Sequence, residues 1–164
     1  NVGKSLVERD KIDVAQAALD KAKERNVQFL IPSDNIVAKP IKINGKIWPT
    51  TEHYFQAMKF EGTRYEELIR KQNTPTDALR IGKNRSLPLR KDWETVKESV
   101  MYKALLAKFT QHDDLKKMLI STEKYELVEH TKNDRYWADG GDGTGLNRLG
   151  VLLMKVRNEV LNTP

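Results

Sequence analysis

The sequence predicts an α+β fold, mainly helical with a small β-sheet, and three observations carry that prediction. Apolar residues recur at helical spacing in two long stretches. In one, Trp93, Val96, Val100, Ala104 and Ala107 share a stripe flanked by Leu105 and Phe109; in the other, Leu149, Leu152, Val156 and Val160 repeat. Threonine with proline marks two helix starts, Pro49-Thr-Thr51 and Thr74-Pro-Thr-Asp77, because the hydroxyl accepts an orphan amide hydrogen and proline fits the first turn. Asn44-Gly45 sits between two short extended runs, the residue pair a tight hairpin turn demands. A chain of 164 residues can bury a sizeable core, so a single domain is expected.

The elements follow in order. Asp10 caps a helix to about Arg25, with Ile12, Ala15, Leu19 and Ala22 at core spacing. Val27 to Ile31 reads as a short strand, and Pro32-Ser-Asp-Asn as a turn. Ile36 to Ile43 is a second extended segment broken by Pro40, and the turn at Asn44-Gly45 joins it to Lys46-Ile-Trp48. The sheet is expected around this hairpin, with the Val27 strand pairing into it. A helix begins at Thr51, and another covers Glu66 to Lys71. The helix after Thr74 keeps Ala78, Leu79 and Ile81 inside and stops at Gly82. Asp92 opens the long helix to about Thr110, Asp113 or Asp114 a shorter one through Leu119, and Tyr125 to His130 reads as a strand. Asn147 caps the last helix, after a glycine-rich loop.

Composition removes several classes. With 38% hydrophobic and 32% charged residues the chain is an ordinary globule, and with no cysteine it has neither disulfides nor thiolate metal sites. No apolar run approaches the roughly 20 residues of a membrane helix, so no membrane partner and a cytoplasmic location are expected. The net charge of +6 is uneven: residues 1–38 carry six basic and six acidic side chains, so the excess lies beyond them. That excess favours an anionic partner, a phosphorylated small molecule or a nucleic acid.

Three motifs fail on inspection. Gly3-Lys-Ser5 lacks the upstream glycine and strand of a phosphate-binding loop. Asp139-Gly-Gly-Asp-Gly-Thr-Gly145 lacks the alternating acids and terminal glutamate of a calcium loop. It also has Arg148 where a dinucleotide fingerprint needs its third glycine. What remains is a flexible loop leading into a helix N-terminus, where exposed amides and Arg148 would hold a phosphate. His53, His112 and His130 form no ligand spacing, so neither a metal nor a cofactor is expected.

The run from Trp48 to Phe60 is the richest in chemistry. At about 100° per residue Glu52, Gln56 and Lys59 fall within roughly 60° of one another, while Tyr54, Phe55 and Met58 point toward a core. A carboxylate, an amide and an ammonium therefore share one helix face.

Downstream stand Gly82-Lys-Asn-Arg85-Ser, Leu89-Arg-Lys-Asp-Trp93-Glu, Ala107-Lys-Phe109, Leu127-Val-Glu-His-Thr131 and Asn133 through Gly150. In that order and spacing, with the Glu52 helix, they resemble the NADAR family, the YbiA-like N-glycosidases, over roughly residues 40–157. Residues 1–38 resemble instead a piece of phosphoglycerate kinase without a complete kinase site. The expectation is a chimera: a kinase-like helix and strand at 1–38 integrated into the fold, and a YbiA-like domain at 39–164.

The resemblance implies metal-independent hydrolysis of N-glycosidic bonds in phosphorylated riboflavin-pathway intermediates, or alternatively in ADP-ribosylated guanine. A folded, inactive chimera that only binds ribosyl phosphates, and a basic nucleic-acid binder, are the rival readings. Breaking an N-ribosyl bond builds positive charge on the sugar, so a carboxylate that stabilises it and activates water is needed. Glu52 is the first choice, with Glu129 and Asp134 the next acids. Lys59 can orient Glu52, bind phosphate or attack the opened sugar as an amine. Arg85 and Arg148 suit phosphate. Trp93 and Trp137 are flat rings able to stack on a base, although the position of Trp93 on an apolar stripe favours packing and Trp137 is the better stacker. Asp139, Gly140, Gly141 and Asn147 complete the expected substrate-binding set on the loop.

Overall fold

The computed structural model describes residues 39–164 together with the strand β1 (Val27–Leu30). The helix expected from Asp10, the Pro32 turn and the start of the extended segment at Ile36 lie outside the described residues. After β1 come β2 (Ile41–Ile43), β3 (Lys46–Trp48), α1 (Thr51–Met58), α2 (Arg64–Arg70), α3 (Pro75–Gly82), α4 (Trp93–Gln111), α5 (Asp113–Ser121), β4 (Glu126–Glu129) and α6 (Arg148–Asn162). The fold is α+β and mainly helical, as the periodicity implies. It divides into two compact units, one holding β1 with Thr122–Lys155, the other holding residues 39–121 with Val156–Pro164.

In the second unit the hairpin forms because Asn44 (φ 51°) and Gly45 (φ 79°) both accept the left-handed backbone that a two-residue turn of this hand requires. Its antiparallel register sets Ile41 opposite Trp48 and Ile43 opposite Lys46. Ile41, Ile43 and Trp48 are buried on one face while Lys42 and Ile47 are exposed on the other, so one face of the hairpin faces a core and the other water, with Lys46 beside the turn exposed at the edge of the core face. Each of the three helices that follow is capped by a threonine: Thr50 Oγ1 accepts from the His53 amide, Thr63 Oγ1 from Tyr65 and Thr74 Oγ1 from Asp77. Each cap satisfies one of the amides a helix start leaves bare, worth about 1 kcal/mol apiece.

α1 packs against α2, α3 and α4, and it is buried from His53 through Met58, with Lys59 and Phe60 buried beyond its end. The expected split between a polar face and an apolar face is therefore corrected: Gln56 and Lys59 are as deeply enclosed as Tyr54 and Phe55. Beyond its first turn this helix has no solvent face, and the polar side chains enclosed there persist only by finding partners. His53 shows how. Fully enclosed, it binds Gln72 O through Nε2 at 2.9 Å and Thr50 Oγ1 through Nδ1 at 2.8 Å. The carbonyl can only accept, so Nε2 carries the proton and the ring is a satisfied core imidazole.

The α4 stripe is present with one change. Trp93, Val100, Ala104, Leu105 and Phe109 are buried, Val96 and Ala107 only half so, and Lys108 lies inside the stripe, where burial pulls its ammonium down to about 8.

In the first unit β1 runs parallel to β4, Val27 opposite Glu126 and Leu30 opposite Glu129. This corrects the expectation of one sheet around the hairpin, since β1 pairs with β4 and the hairpin forms a sheet of its own. Parallel partners are joined through long crossovers, so local sequence carries no sign of which strand is chosen. Leu127 and Val128 are both buried, the pattern of a strand covered on both faces.

Candidate active site

Glu52 sits in the first turn of α1, half-exposed, and one oxygen of its carboxylate accepts a hydrogen bond from Gln56 Nε2 at 2.7 Å. One helical turn separates the two residues, which is the spacing at which side chains meet. No other described hydrogen bond reaches that carboxylate. Lys59, expected as a group that orients Glu52, lies within 4 Å of no described carboxylate; its Nζ donates instead to Gly82 O at 3.4 Å. Orientation falls to Gln56, a residue sequence spacing placed on the right face without giving it a role.

The lysine is electrostatically unusual. Burial, then the nearby Arg85 guanidinium, pull its ammonium down to about 8 from an ordinary 10.5, against the opposing pull of Glu52. Its Nζ lies 5.7 Å from the centres of both the Phe55 and the Trp93 rings. Arg85 Nη1 also reaches Gly82 O, at 3.3 Å. Two cations thus share one neutral carbonyl, leaving positive charge that an anion would neutralise. The loop bearing Arg85 is pinned to the end of α1, where the Arg90 amide donates to Lys59 O at 2.9 Å and Arg90 Nη1 pairs with Glu61 at 2.7 Å.

Trp93 is 5% exposed and meets Phe55 edge-on at 5.0 Å between centres. The stacking surface expected of it is covered by the core, as its place on the α4 stripe implied.

The first unit holds a second cluster. Glu129 ends β4 half-buried, and burial, reinforced by Asp139 and Asp134, pushes its carboxyl above the usual range. Asp139 is buried; Oδ1 accepts the Gly141 amide at 2.8 Å and Oδ2 meets His130 Nδ1 at 2.8 Å. Asp134 Oδ1 accepts the amides of Tyr136 and Trp137. Trp137 is half-buried and meets Tyr136 edge-on at 5.0 Å.

The glycine-rich loop is a built structure, which corrects the expectation of a flexible loop with exposed amides. Arg148 N donates to Tyr136 O, Leu149 N to Trp137 O and Asn147 N to Ala138 O, so the start of α6 is already filled by the loop's own carbonyls. Gly140 N is given to Asp134 O and Gly141 N to Asp139, committing those amides too. Asn147, expected to cap α6 and touch substrate, turns to β4: Nδ2 donates to Leu127 O at 2.9 Å and Oδ1 accepts from Glu129 N at 3.0 Å. Gly150 lies against it, and a Cβ there would come within 2.1 Å of Leu127 O. Asp139, Gly140, Gly141 and Asn147 therefore frame the loop that follows Glu129 and carries His130 and Asp134. The His130 to Asp139 pair had no signal in sequence, since nine residues and a loop separate its members.

The chain resembles known proteins over most of its length. The family profile described as NADAR domain matches residues 21–161. The N-glycosidase YbiA of Shigella boydii serotype 4 is 58% identical over 126 residues, 77% of this chain and 79% of that protein. The riboflavin biosynthesis protein VVA0006 of Vibrio vulnificus is 38% identical over 143 residues, covering 84% of this chain but 39% of that longer protein. The NMR structure of the Escherichia coli protein YbiA superposes with a TM-score of 0.76 at 51% identity, covering 84% of this chain and 86% of that one.

Proposed function

The chain belongs to the NADAR family, and from that premise we propose that it is an N-glycosidase hydrolysing the N-ribosyl bond of phosphorylated riboflavin-biosynthesis intermediates. The observation that carries the reading is the α1 cluster: a carboxylate held by one oxygen, beside a buried lysine of lowered basicity and an arginine that share one carbonyl.

The chemistry follows from these groups. As the C–N bond breaks, the base leaves with its electron pair and the sugar ring gains positive character. Glu52 offers the negative charge that stabilises this ring and takes the proton of the attacking water, so that sugar and base part as a hydroxyl and an N–H. Arg85, with its planar fork, is the phosphate ligand. Lys59 either adds to the phosphate contact as a cation or attacks the opened sugar as a neutral amine, and the two roles differ in their pH dependence. Glu129, whose raised carboxyl keeps a proton to higher pH than an ordinary glutamate, is suited to a donor's role, and Asp134 to binding ribose hydroxyls. Arg148 and Trp137 are the further groups proposed to meet phosphate and base. None of these steps calls on a metal.

The riboflavin branch is favoured over ADP-ribosylated guanine by the names of the relatives, which include a riboflavin biosynthesis protein. We also read residues 1–38 as a phosphoglycerate kinase-like segment joined to this domain; the support is their own sequence, of which residues 1–20 precede the family match and 21–38 fall within it.

The test is chromatographic detection of released ribose phosphate from a ribosylaminopyrimidine phosphate, with ADP-ribosylated guanine nucleotide as the second substrate and EDTA in a parallel sample. Release from the first, unchanged by EDTA, is expected. Release from the second alone moves the protein to the ADP-ribose branch. Binding of both by calorimetry with no release would make it a folded domain that recognises without cutting.

A further inference from the structure

We propose that Gln56 is a positioning residue for the reaction proposed above, holding the Glu52 carboxylate by one oxygen, and that residue 82 is glycine because the Gln56 amide fills the space a side chain would need.

Gln56 is 3% exposed and spends its Nε2 on Glu52 Oε1 at 2.7 Å. Its Oε1 is buried without a hydrogen-bond partner. A buried acceptor left bare is rare, and this one lies against Gly82. A Cβ on Gly82 would stand 1.9 Å from Oε1 and 2.7 Å from the Gln56 amide carbon, far inside contact. The amide is therefore clamped between Glu52 and the last turn of α3. Only one Glu52 oxygen is taken, so the other stays available for the sugar or for water. The same residue, Gly82, also accepts Lys59 and Arg85 through its carbonyl, which ties the amide, the carboxylate and both cations to one backbone position.

The proposal rests on the assignment of Glu52, and the experiment separates the two. Gln56→Met keeps length and bulk but removes the donor. It is expected to lower kcat about ten- to a hundredfold, the scale of a small misplacement of a reacting group, with KM within about twofold. Gly82→Ala is expected to lower both kcat and the melting temperature. Adding Gln56→Ala to Gly82→Ala removes the two contacts with the amide and leaves only the Cβ of residue 56, 2.9 Å away, so the melting temperature should recover in part while kcat does not, a separation that a purely structural role would not produce. If Gln56→Met fails to fold, this pair decides alone. Full kcat in Gln56→Met, or recovery of kcat in the double variant, with Glu52→Gln inactive, overturns the positioning role and leaves the function standing. Turnover retained in Glu52→Gln, or none in the unaltered protein, overturns both.

Discussion

Glu52 and Lys59 are where single atoms decide the chemistry. Glu52→Gln preserves shape and the reach to Gln56 while removing the charge, so turnover should fall by two or more orders of magnitude, about 3 kcal/mol of transition-state stabilisation, with the fold intact. Retained turnover, measured as ribose phosphate release, would take Glu52 out of the catalytic role. For Lys59 the sign of the pH dependence separates its roles. Its ammonium titrates at about 8, far below an ordinary lysine. A nucleophilic amine must be neutral, so kcat would climb as pH rises through about 8. A phosphate-binding ammonium must be charged, so KM would instead worsen over the same range. Initial rates from pH 6.5 to 9.5 distinguish the two, and Lys59→Arg should rescue only the phosphate contact. Gln56, which stabilises nothing by charge, is legible in sequence only as a polar residue one turn from Glu52.

At the scale of elements, the loop between β4 and α6 shows how a stretch that reads as flexible is made rigid. Its glycines adopt left-handed backbone at Gly140, Gly141 and Gly143, and its carbonyls take up the amides at the start of α6. Asn147 staples the loop to β4 through two hydrogen bonds to main chain, one buried and one partly buried. Asn147→Ala leaves the Leu127 carbonyl and the Glu129 amide without those partners, each at a cost of about 1–3 kcal/mol. A clear fall in the thermal midpoint is expected, together with a loss of activity if Glu129 acts in the reaction, because its own amide is among the groups released. An unchanged midpoint would mean that water replaces the side chain fully. The glycine letters were visible in sequence; their use in closing the loop on itself was not, because hydrogen bonds between residues six to twelve positions apart leave no local pattern.

For the molecule as a whole, the parallel pairing with β4 gives β1, the described element before residue 39, a place in a sheet. Deleting residues 1–38 strips the ladder from β4 and should lower the melting temperature, read by circular dichroism; an equal melting temperature would reduce the segment to an appendage.

Sequence alone determined what depends on neighbours along the chain. The hairpin turn at Asn44-Gly45, the threonine caps at Thr50 and Thr74, the stripes of α4 and α6, and the meeting of Glu52 with Gln56 at one helical turn all follow from backbone sterics and fixed periodicity. So did the family, because its motifs are ordered strings of residues. Tertiary structure alone decided what depends on neighbours across space. It paired β1 with β4 instead of the hairpin, enclosed α1 from His53 to Met58, lowered the basicity of Lys59 by burial beside Arg85, and set His130 against Asp139. Burial and long-range pairing depend on which surfaces meet, and that information is spread over the whole chain and not written at any one position.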